Sequence, residues 1–100
     1  MYYIYILYSS SFDLFYVGHS DDPFRRLVEH NTSDHNTYTS KYRPWELKAI
    51  FQSGQNRNQA LAIERFIKKQ KSRNLIIKMI DGAELSGRLA QLVRVPHLRD

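Results

Sequence analysis

The fold of this 100-residue chain is decided by residues 2–20, which read YYIYILYSSSFDLFYVGHS. Two segments of this stretch, Tyr2–Ser9 and Phe15–Ser20, are rich in aromatic and β-branched residues, and such composition favours strands. The residues between them, which are serines followed by Phe12 and Asp13, are typical of a turn. The pattern therefore predicts an antiparallel β-hairpin.

The number of residues in the hairpin loop decides which side chains lie together. Because side chains alternate between the faces of a strand, Tyr5 and Tyr16 share a face only if this number is even. A two-residue loop at Ser11-Phe12 pairs Tyr5 with Gly18, and the glycine leaves open space beside the phenol ring. A longer loop allows Tyr5 to face Tyr16 directly. Both alternatives bring two phenols to one surface.

Helices and one further strand are predicted after the hairpin. The Asp22-Pro23 pair has the residue types of an N-cap and a first helical position, which predicts a helix over 22–31. Residues 45–53 have strand character, residues 56–72 have the apolar spacing of a helix, and a last short helix is expected over 75–80. The expected fold is therefore α+β, a small three-stranded antiparallel sheet flanked by helices.

Length and composition restrict the chain to one small domain, because a hundred residues bury a single core. We expect this domain to span residues 1–81, and residues 82–100 to form a tail that is either a docking helix or poorly ordered. No apolar run approaches the roughly 20 residues of a membrane span. The sequence contains no cysteine, which fits a reducing compartment, and we expect a cytoplasmic protein without membrane contact.

Charge points to a polyanionic partner. The net charge is +5 and the isoelectric point about 9.6, and a basic surface favours nucleic acid. Residues 57–78 contain seven basic side chains and a single acid, Glu64. The basic residues are Arg57, Arg65, Lys68, Lys69, Lys71, Arg73 and Lys78. A lone carboxylate in a basic helix is either half of an ion pair with Lys68, four residues on, or a functional group.

Several side chains that carry acid–base chemistry accompany the tyrosines. Arg26 and His30 are four residues apart on the first predicted helix and therefore share one face. A phenol has a pKa of about 10, and a nearby positive charge, from Arg26 or from a metal ion, would lower that of Tyr5 by favouring the anion. His30 is a candidate base or proton shuttle. Each residue taken alone has a plain structural explanation, a sheet-face aromatic or a solvated helix face.

In this order and at this spacing, five segments resemble the GIY-YIG nuclease domain, specifically its small stand-alone bacterial type, which is similar to the N-terminal domain of excision-repair nucleases. The segments are YIY at 3–5, YVG at 16–18, FRRLVEH at 24–30, YTSKYRP at 38–44 and ALAIERFIKKQKSR at 60–73. The resemblance covers roughly residues 1–80. Tyr3 departs from it, because the family motif has glycine there.

The resemblance implies metal-dependent hydrolysis of phosphodiester bonds in DNA by in-line attack of water. It implies that Glu64 holds the divalent cation, Mg²⁺ or Mn²⁺. The catalytic residues that it implies are Tyr5, Tyr16, Arg26, His30 and Glu64. We expect substrate contacts from Gly18, His19, Lys41, Arg65, Lys68 and Lys69. His19 occupies the position where some family members carry lysine.

Three functions remain open. The leading hypothesis is an endonuclease acting on DNA, branched or single-stranded, in a process such as DNA repair. The alternative is a non-catalytic nucleic-acid-binding module that uses the basic helix around Arg65–Arg73. A third is a structural partner that docks on a larger assembly through the tail leucines, Leu85, Leu89 and Leu92. The choice between DNA and RNA and the oligomeric state also stay open.

Three further side chains receive no catalytic role. Trp45 is expected in the core, with stacking on a nucleic-acid base as the alternative. His35 and His97 are assigned no function.

Overall fold

One antiparallel sheet organises the molecule, for which a computed structural model describes residues 1–34 and 37–97. The elements are β1 Tyr2–Ser9, β2 Leu14–Ser20, α1 Pro23–Thr32, β3 Glu46–Gly54, α2 Arg57–Gln70, α3 Arg73–Ile80 and β4 Val93–Val95. Two 3-10 turns cover Thr39–Tyr42 and Gly87–Leu89. The strands are ordered β2-β1-β3-β4. No helix in the described ranges is long and apolar enough to span a bilayer.

The β1–β2 hairpin has the register that a two-residue loop predicts. Tyr5 pairs with Gly18, and Leu7 pairs with Tyr16. The connection nevertheless contains four residues, 10–13, since Ser9 and Leu14 form the last pair. Both lengths are even, so the parity that places the two tyrosines on one face is unchanged.

The two faces of β1 belong to different parts of the core, as the alternation predicts. Ile4 and Ile6 are buried against α2 and α3. On the other face, Tyr5 and Leu7 are buried with Trp45, and α1 covers this cluster. Tyr5 thus lies inside the smaller cluster, under α1.

Side-chain caps set the starts of the main helices, as predicted for α1 and α2. Asp22 and Asn56 each accept a hydrogen bond from the backbone N–H three residues later, at 3.1 and 2.9 Å. Helix α2 ends at Gln70, before the predicted end at residue 72. The reason is that Lys71 takes a left-handed φ of 48°, after which Ser72 caps α3.

The predicted three-stranded sheet is wrong in one respect, because the sheet has a fourth strand. Residues 93–95 of the expected tail pair with β3. Leu89 and Leu92 are buried in the core, and Leu85 packs against it. The tail leucines are therefore used for packing within the chain and are not a free docking contact. The division of the chain at residue 81 stays a prediction.

Candidate active site

The ring of Tyr5 lies across the backbone of Gly18. A Cβ on this glycine would stand 2.5 Å from both Cζ and Oη of the tyrosine, a separation that no side chain tolerates. Gly18 is buried beneath the ring. The open space expected beside Gly18 is therefore filled by Tyr5 itself, and the glycine positions the phenol instead of leaving room for a substrate.

A buried hydrogen-bond chain begins at the Tyr5 hydroxyl. It lies 2.8 Å from Nε2 of His30, and Nδ1 of His30 lies 2.9 Å from Oγ1 of Thr39. All three residues are at most 6% exposed. The neutral imidazole tautomer with its proton on Nδ1 satisfies both contacts, because it donates to Thr39 and accepts from Tyr5. Thr39 therefore orients the imidazole towards the phenol.

Thr39 is a site residue that the sequence did not single out. It begins the 3-10 turn that follows a polar loop, and hydroxyl residues are common in such loops. The carbonyl of Thr39 accepts from Nε1 of the buried Trp45 at 2.8 Å, which anchors the turn against the core. In the sequence, only its place in the segment YTSKYRP marks Thr39 as a candidate site residue, and no local pattern links it to His30.

Burial controls the protonation of Tyr5 and His30 in this hydrogen-bond chain. It raises the pKa of Tyr5 to about 12; nearby Tyr16 adds to this effect, whereas Arg26 opposes it. Arg26 thus has the expected lowering effect, but burial outweighs it, and the pKa of Tyr5 lies above its usual value of 10. Burial also lowers the pKa of His30 to about 4, and the charge of Arg26 lowers it further. Tyr5 and His30 are therefore both neutral at pH 7.

Arg26 lies one helical turn before His30, on the same face of α1. Its Nη1 donates to Oε1 of Glu29 at 2.5 Å, and about a third of its side chain, 36%, remains exposed. The guanidinium lines a pocket of about 630 Å³ together with Tyr16 and His30. A permanent positive charge thus borders an open pocket next to the buried phenol.

Tyr16 contacts site residues on both the α1 side and the α2 side of the sheet. Its ring centroid is 4.9 Å from that of His30 and 6.4 Å from that of Tyr5. On its other side, Nζ of Lys68 lies 5.0 Å from the ring centroid. Since Lys68 belongs to α2, this contact joins the α1 side of the sheet to the α2 side around the outer strand β2.

Glu64 lies on the α2 side of β2. Nδ1 of His19 donates to its Oε1 at 2.6 Å, and Nζ of Lys68 donates to its Oε2 at 2.9 Å. Only 13% of the Glu64 side chain is exposed. His19 follows Gly18 along β2 and faces the opposite side, so consecutive residues of one strand place the phenol and hold the carboxylate. The negative charge of Glu64 also contributes to the raised pKa of Tyr5.

The family model of the GIY-YIG catalytic domain matches residues 1–76. The chain belongs to the GIY-YIG family. GIY-YIG domains are generally endonucleases, so the family indicates a nuclease-type function and a nucleic-acid substrate for this protein. No curated protein matches the chain. The resemblance to the stand-alone bacterial type and to excision-repair nucleases stays a prediction.

GIY-YIG nucleases typically use a divalent metal ion, which requires side chains in the site that could bind one. Within residues 1–34 and 37–97, no group of three His, Cys, Asp or Glu lies close enough to hold an ion. Glu64 supplies hard carboxylate oxygens, and Mg²⁺ commonly takes one or two protein carboxylates, with waters and substrate phosphate oxygens completing its shell. The residues present therefore fit a one-carboxylate site that the substrate completes, and they do not fit an all-protein cage.

Three of the predicted substrate contacts lie outside this cluster. Lys41 is exposed in the first 3-10 turn, and Arg65 and Lys69 are exposed on α2. At 3.6 residues per turn, Arg65 and Lys69 are rotated by about 100° and 140° from Glu64 around the helix axis. The basic helix thus divides into a side that faces the site, with Lys68, and a side that does not.

The remaining aromatic and histidine side chains also have definite places. Trp45 is 3% exposed in the core, which confirms its predicted role and excludes stacking on a base. Nε2 of His97 lies 3.2 Å from the carbonyl oxygen of Leu47. His35 lies outside the described residues.

Proposed function

We propose that this protein is a divalent-metal-dependent endonuclease that hydrolyses phosphodiester bonds in the cytoplasm, with DNA as its substrate. The observation that carries the proposal is that Tyr16, Arg26 and His30 line one pocket. The buried Tyr5 lies next to them, in hydrogen-bond contact with His30 and in ring contact with Tyr16. Glu64 stands beside this group, joined to Tyr16 through Lys68.

Arg26 binds the phosphate in this proposal. Its guanidinium borders the pocket and its side chain is partly exposed, and a planar fork of donors matches two oxygens of a phosphodiester. Negative charge on these oxygens grows in the transition state, so a fixed positive charge at this place lowers the barrier. The Tyr16 ring forms the pocket wall, and its hydroxyl positions the water or the phosphate.

Tyr5 and His30 move the proton of the attacking water. As the water oxygen bonds to phosphorus, its proton passes to Oη of Tyr5, and the phenol proton passes to Nε2 of His30, 2.8 Å away. The bond from phosphorus to the leaving oxygen breaks, and that oxygen takes a proton from solvent. The negative charge of the bound phosphodiester raises the pKa of His30, which burial holds at about 4 in the free protein, and so helps the imidazole accept the proton.

Glu64 would hold the metal ion, Mg²⁺ or Mn²⁺. When bound, such an ion stabilises the negative charge that develops on the leaving oxygen. In the free protein, His19 and Lys68 hold the two carboxylate oxygens. His19 therefore fixes the orientation of the carboxylate, as partners of metal ligands commonly do.

Cleavage assays test the proposal. Single-stranded, duplex and branched DNA, and RNA of the same sequence, are incubated with the protein in Mg²⁺, Mn²⁺ or a chelator. We expect cleavage that needs the metal and that is lost in Glu64→Ala but retained in Glu84→Ala, a variant of an exposed glutamate. A loss of about 3 kcal/mol of transition-state stabilisation slows the reaction roughly a hundredfold. Metal-dependent cleavage that survives in Glu64→Ala would contradict the proposal.

The second candidate function is a nucleic-acid-binding module without catalysis. One observation favours it: both oxygens of Glu64 are already engaged by His19 and Lys68. This alternative predicts binding that weakens steeply with salt and no cleavage with either metal. The same assays therefore separate the two functions.

A further inference from the structure

A groove of about 500 Å³ runs along the outer strand β2, beside the catalytic pocket. Strand β2 ends the sheet order, so the groove follows the backbone edge that no other described strand covers. Residues 14–17 of β2 form its floor, Tyr38 stands on one side, and Lys68, Lys71 and Arg73 stand on the other. Both faces of the strand and both flanking layers thus contribute to one surface.

The charge of the groove selects an anionic occupant. Lys68, Lys71 and Arg73 line it, and none of the described residues that line it is acidic. Lys68 and Arg73 are held in place by Glu64 and Asp13, respectively. Lys71 is exposed at the left-handed end of α2. Lys68 and Arg73 are each paired with a carboxylate, but together with Lys71 they space three cations along one wall. Such spacing suits the repeated charges of a phosphate backbone better than the single charge of a small anion.

The aromatic side chains of the groove specify which polyanion fits. Tyr38 is 53% exposed, and its ring packs against that of Tyr42 with centroids 4.9 Å apart. This contact supports the ring while leaving it open to solvent. A positively charged groove with exposed aromatic rings is the arrangement by which proteins bind single strands, since bases stack on the rings and cations follow the backbone.

The groove is continuous with the catalytic pocket. Tyr16 and Tyr38 line both, and the pocket on their other side contains Arg26 and His30. A strand whose phosphate lies at Arg26 therefore passes between the two tyrosines into the groove. In an intact duplex the bases are stacked and paired, so they reach Tyr38 only after leaving the helix.

The geometry points to the β2-edge groove as a binding site for unpaired nucleotides next to the cleaved phosphodiester, so that a single strand is the favoured substrate over intact duplex. This inference rests on the proposed nuclease function for its substrate, but binding tests it without cleavage. An RNA strand carries the same phosphates and bases and serves as one arm of the test.

The experiment measures fluorescence anisotropy of the full chain in chelator, with a labelled single-stranded DNA oligonucleotide, the duplex of the same sequence, and the RNA strand. We expect Tyr38→Ala to weaken single-strand binding about five- to tenfold, because a stacked base is lost, and to leave duplex binding unchanged. Lys71→Ala should weaken single-strand binding and lower the slope of log K against log salt by about 0.7. Lys78→Ala, a variant of an exposed lysine on α3, is the matched control.

The outcomes separate this inference from the proposed function. Single-strand binding that depends on Tyr38 and Lys71, for DNA or RNA, supports the groove whether or not the protein cleaves. Equal losses for single strand and duplex, or single-strand affinities of Tyr38→Ala and Lys71→Ala that equal that of Lys78→Ala, overturn it even if metal-dependent cleavage is found. To show that Tyr38→Ala is folded, its thermal unfolding is compared with that of the wild type.

Discussion

The ring of Tyr5 lies directly over Gly18 on the neighbouring strand, where a Cβ would stand 2.5 Å from its Oη. The same ring position directs the hydroxyl to Nε2 of His30, 2.8 Å away. A glycine in the second strand of the hairpin thus sets the position of a phenol in the first. The hydrogen-bond chain that runs from this phenol to Thr39 depends on that packing.

Gly18→Ala should therefore disturb both stability and cleavage. The added methyl group must push aside the buried Tyr5 ring, and overpacking of this kind costs about 1–3 kcal/mol of unfolding free energy. The displaced hydroxyl should also slow cleavage. Denaturant unfolding and single-turnover cleavage measure the two effects. The control is Gly82→Ala, where φ is 81° and an added Cβ would meet no atom within 4 Å apart from those of its chain neighbours. This change should cost about 1 kcal/mol from backbone strain and leave cleavage unchanged. A wild-type rate in Gly18→Ala would contradict this account of the contact.

Tyr5→Phe should separate the chemistry from the packing. The phenyl ring keeps the contact with Gly18, whereas Nε2 of His30 loses its partner, which costs about 1 kcal/mol of stability. Cleavage should fall about a hundredfold or more, as expected when a proton-transfer group is removed, while affinity for single-stranded DNA stays unchanged. Tyr2→Phe serves as the control. If Tyr5→Phe cleaves as fast as Tyr2→Phe, the hydroxyl does not take part in the reaction.

Thr39 should act as a positioning residue through His30. Thr39→Val keeps the shape but removes the oxygen 2.9 Å from Nδ1, and so leaves the imidazole free to take the other tautomer. We expect about a tenfold lower kcat at nearly unchanged KM, with a stability loss of about 1 kcal/mol. Thr39→Ser restores the hydroxyl and should restore the rate. A purely structural role predicts instead that stability changes and that kcat of the folded protein does not.

Protein stability should depend on pH through His30. Burial lowers the pKa of this imidazole from 6.5 to about 4 in the folded protein, so between these pH values the unfolded chain binds a proton that the folded protein does not. The free energy of unfolding is therefore highest, as far as His30 is concerned, above pH 6.5. It falls by about 2–3 kcal/mol as the pH falls towards 4. Denaturant unfolding at several pH values measures it. His30→Gln should show a correspondingly smaller acid loss, and identical pH profiles of the two proteins would contradict the assignment.

Local sequence patterns predicted the parts of the fold that local physics determines. The alternation of side chains and the even loop placed Tyr5 and Tyr16 on one face, since strand geometry has a period of two. Asp22 and Asn56 marked helix starts because their side chains accept backbone hydrogen bonds wherever a helix begins at them. These features depend only on residues that are close together in the sequence, and they could therefore be predicted from it.

Features that depend on distant residues were not predicted. Strand β4 contains three residues and pairs with β3 across some forty residues of sequence, so no periodicity indicates it. The link from Thr39 to His30 exists only after the 3-10 turn packs on α1. Arg26 lowers the pKa of Tyr5 as expected, but the larger effect of burial, which raises it, was not predicted, because the degree of burial is a property of the whole core.

In the proposed function, Glu64 acts together with the pocket at Tyr16, Arg26 and His30 in metal-dependent cleavage of nucleic acid. The most direct test is single-turnover cleavage of a single-stranded DNA oligonucleotide, in Mg²⁺ and in Mn²⁺, by Glu64→Gln and by the control Glu84→Gln. The amide keeps the size of the side chain and removes the charge that would hold the ion. We predict a rate at least about a hundredfold below that of the control, with DNA affinity retained. Equal rates for the two variants would contradict the claim.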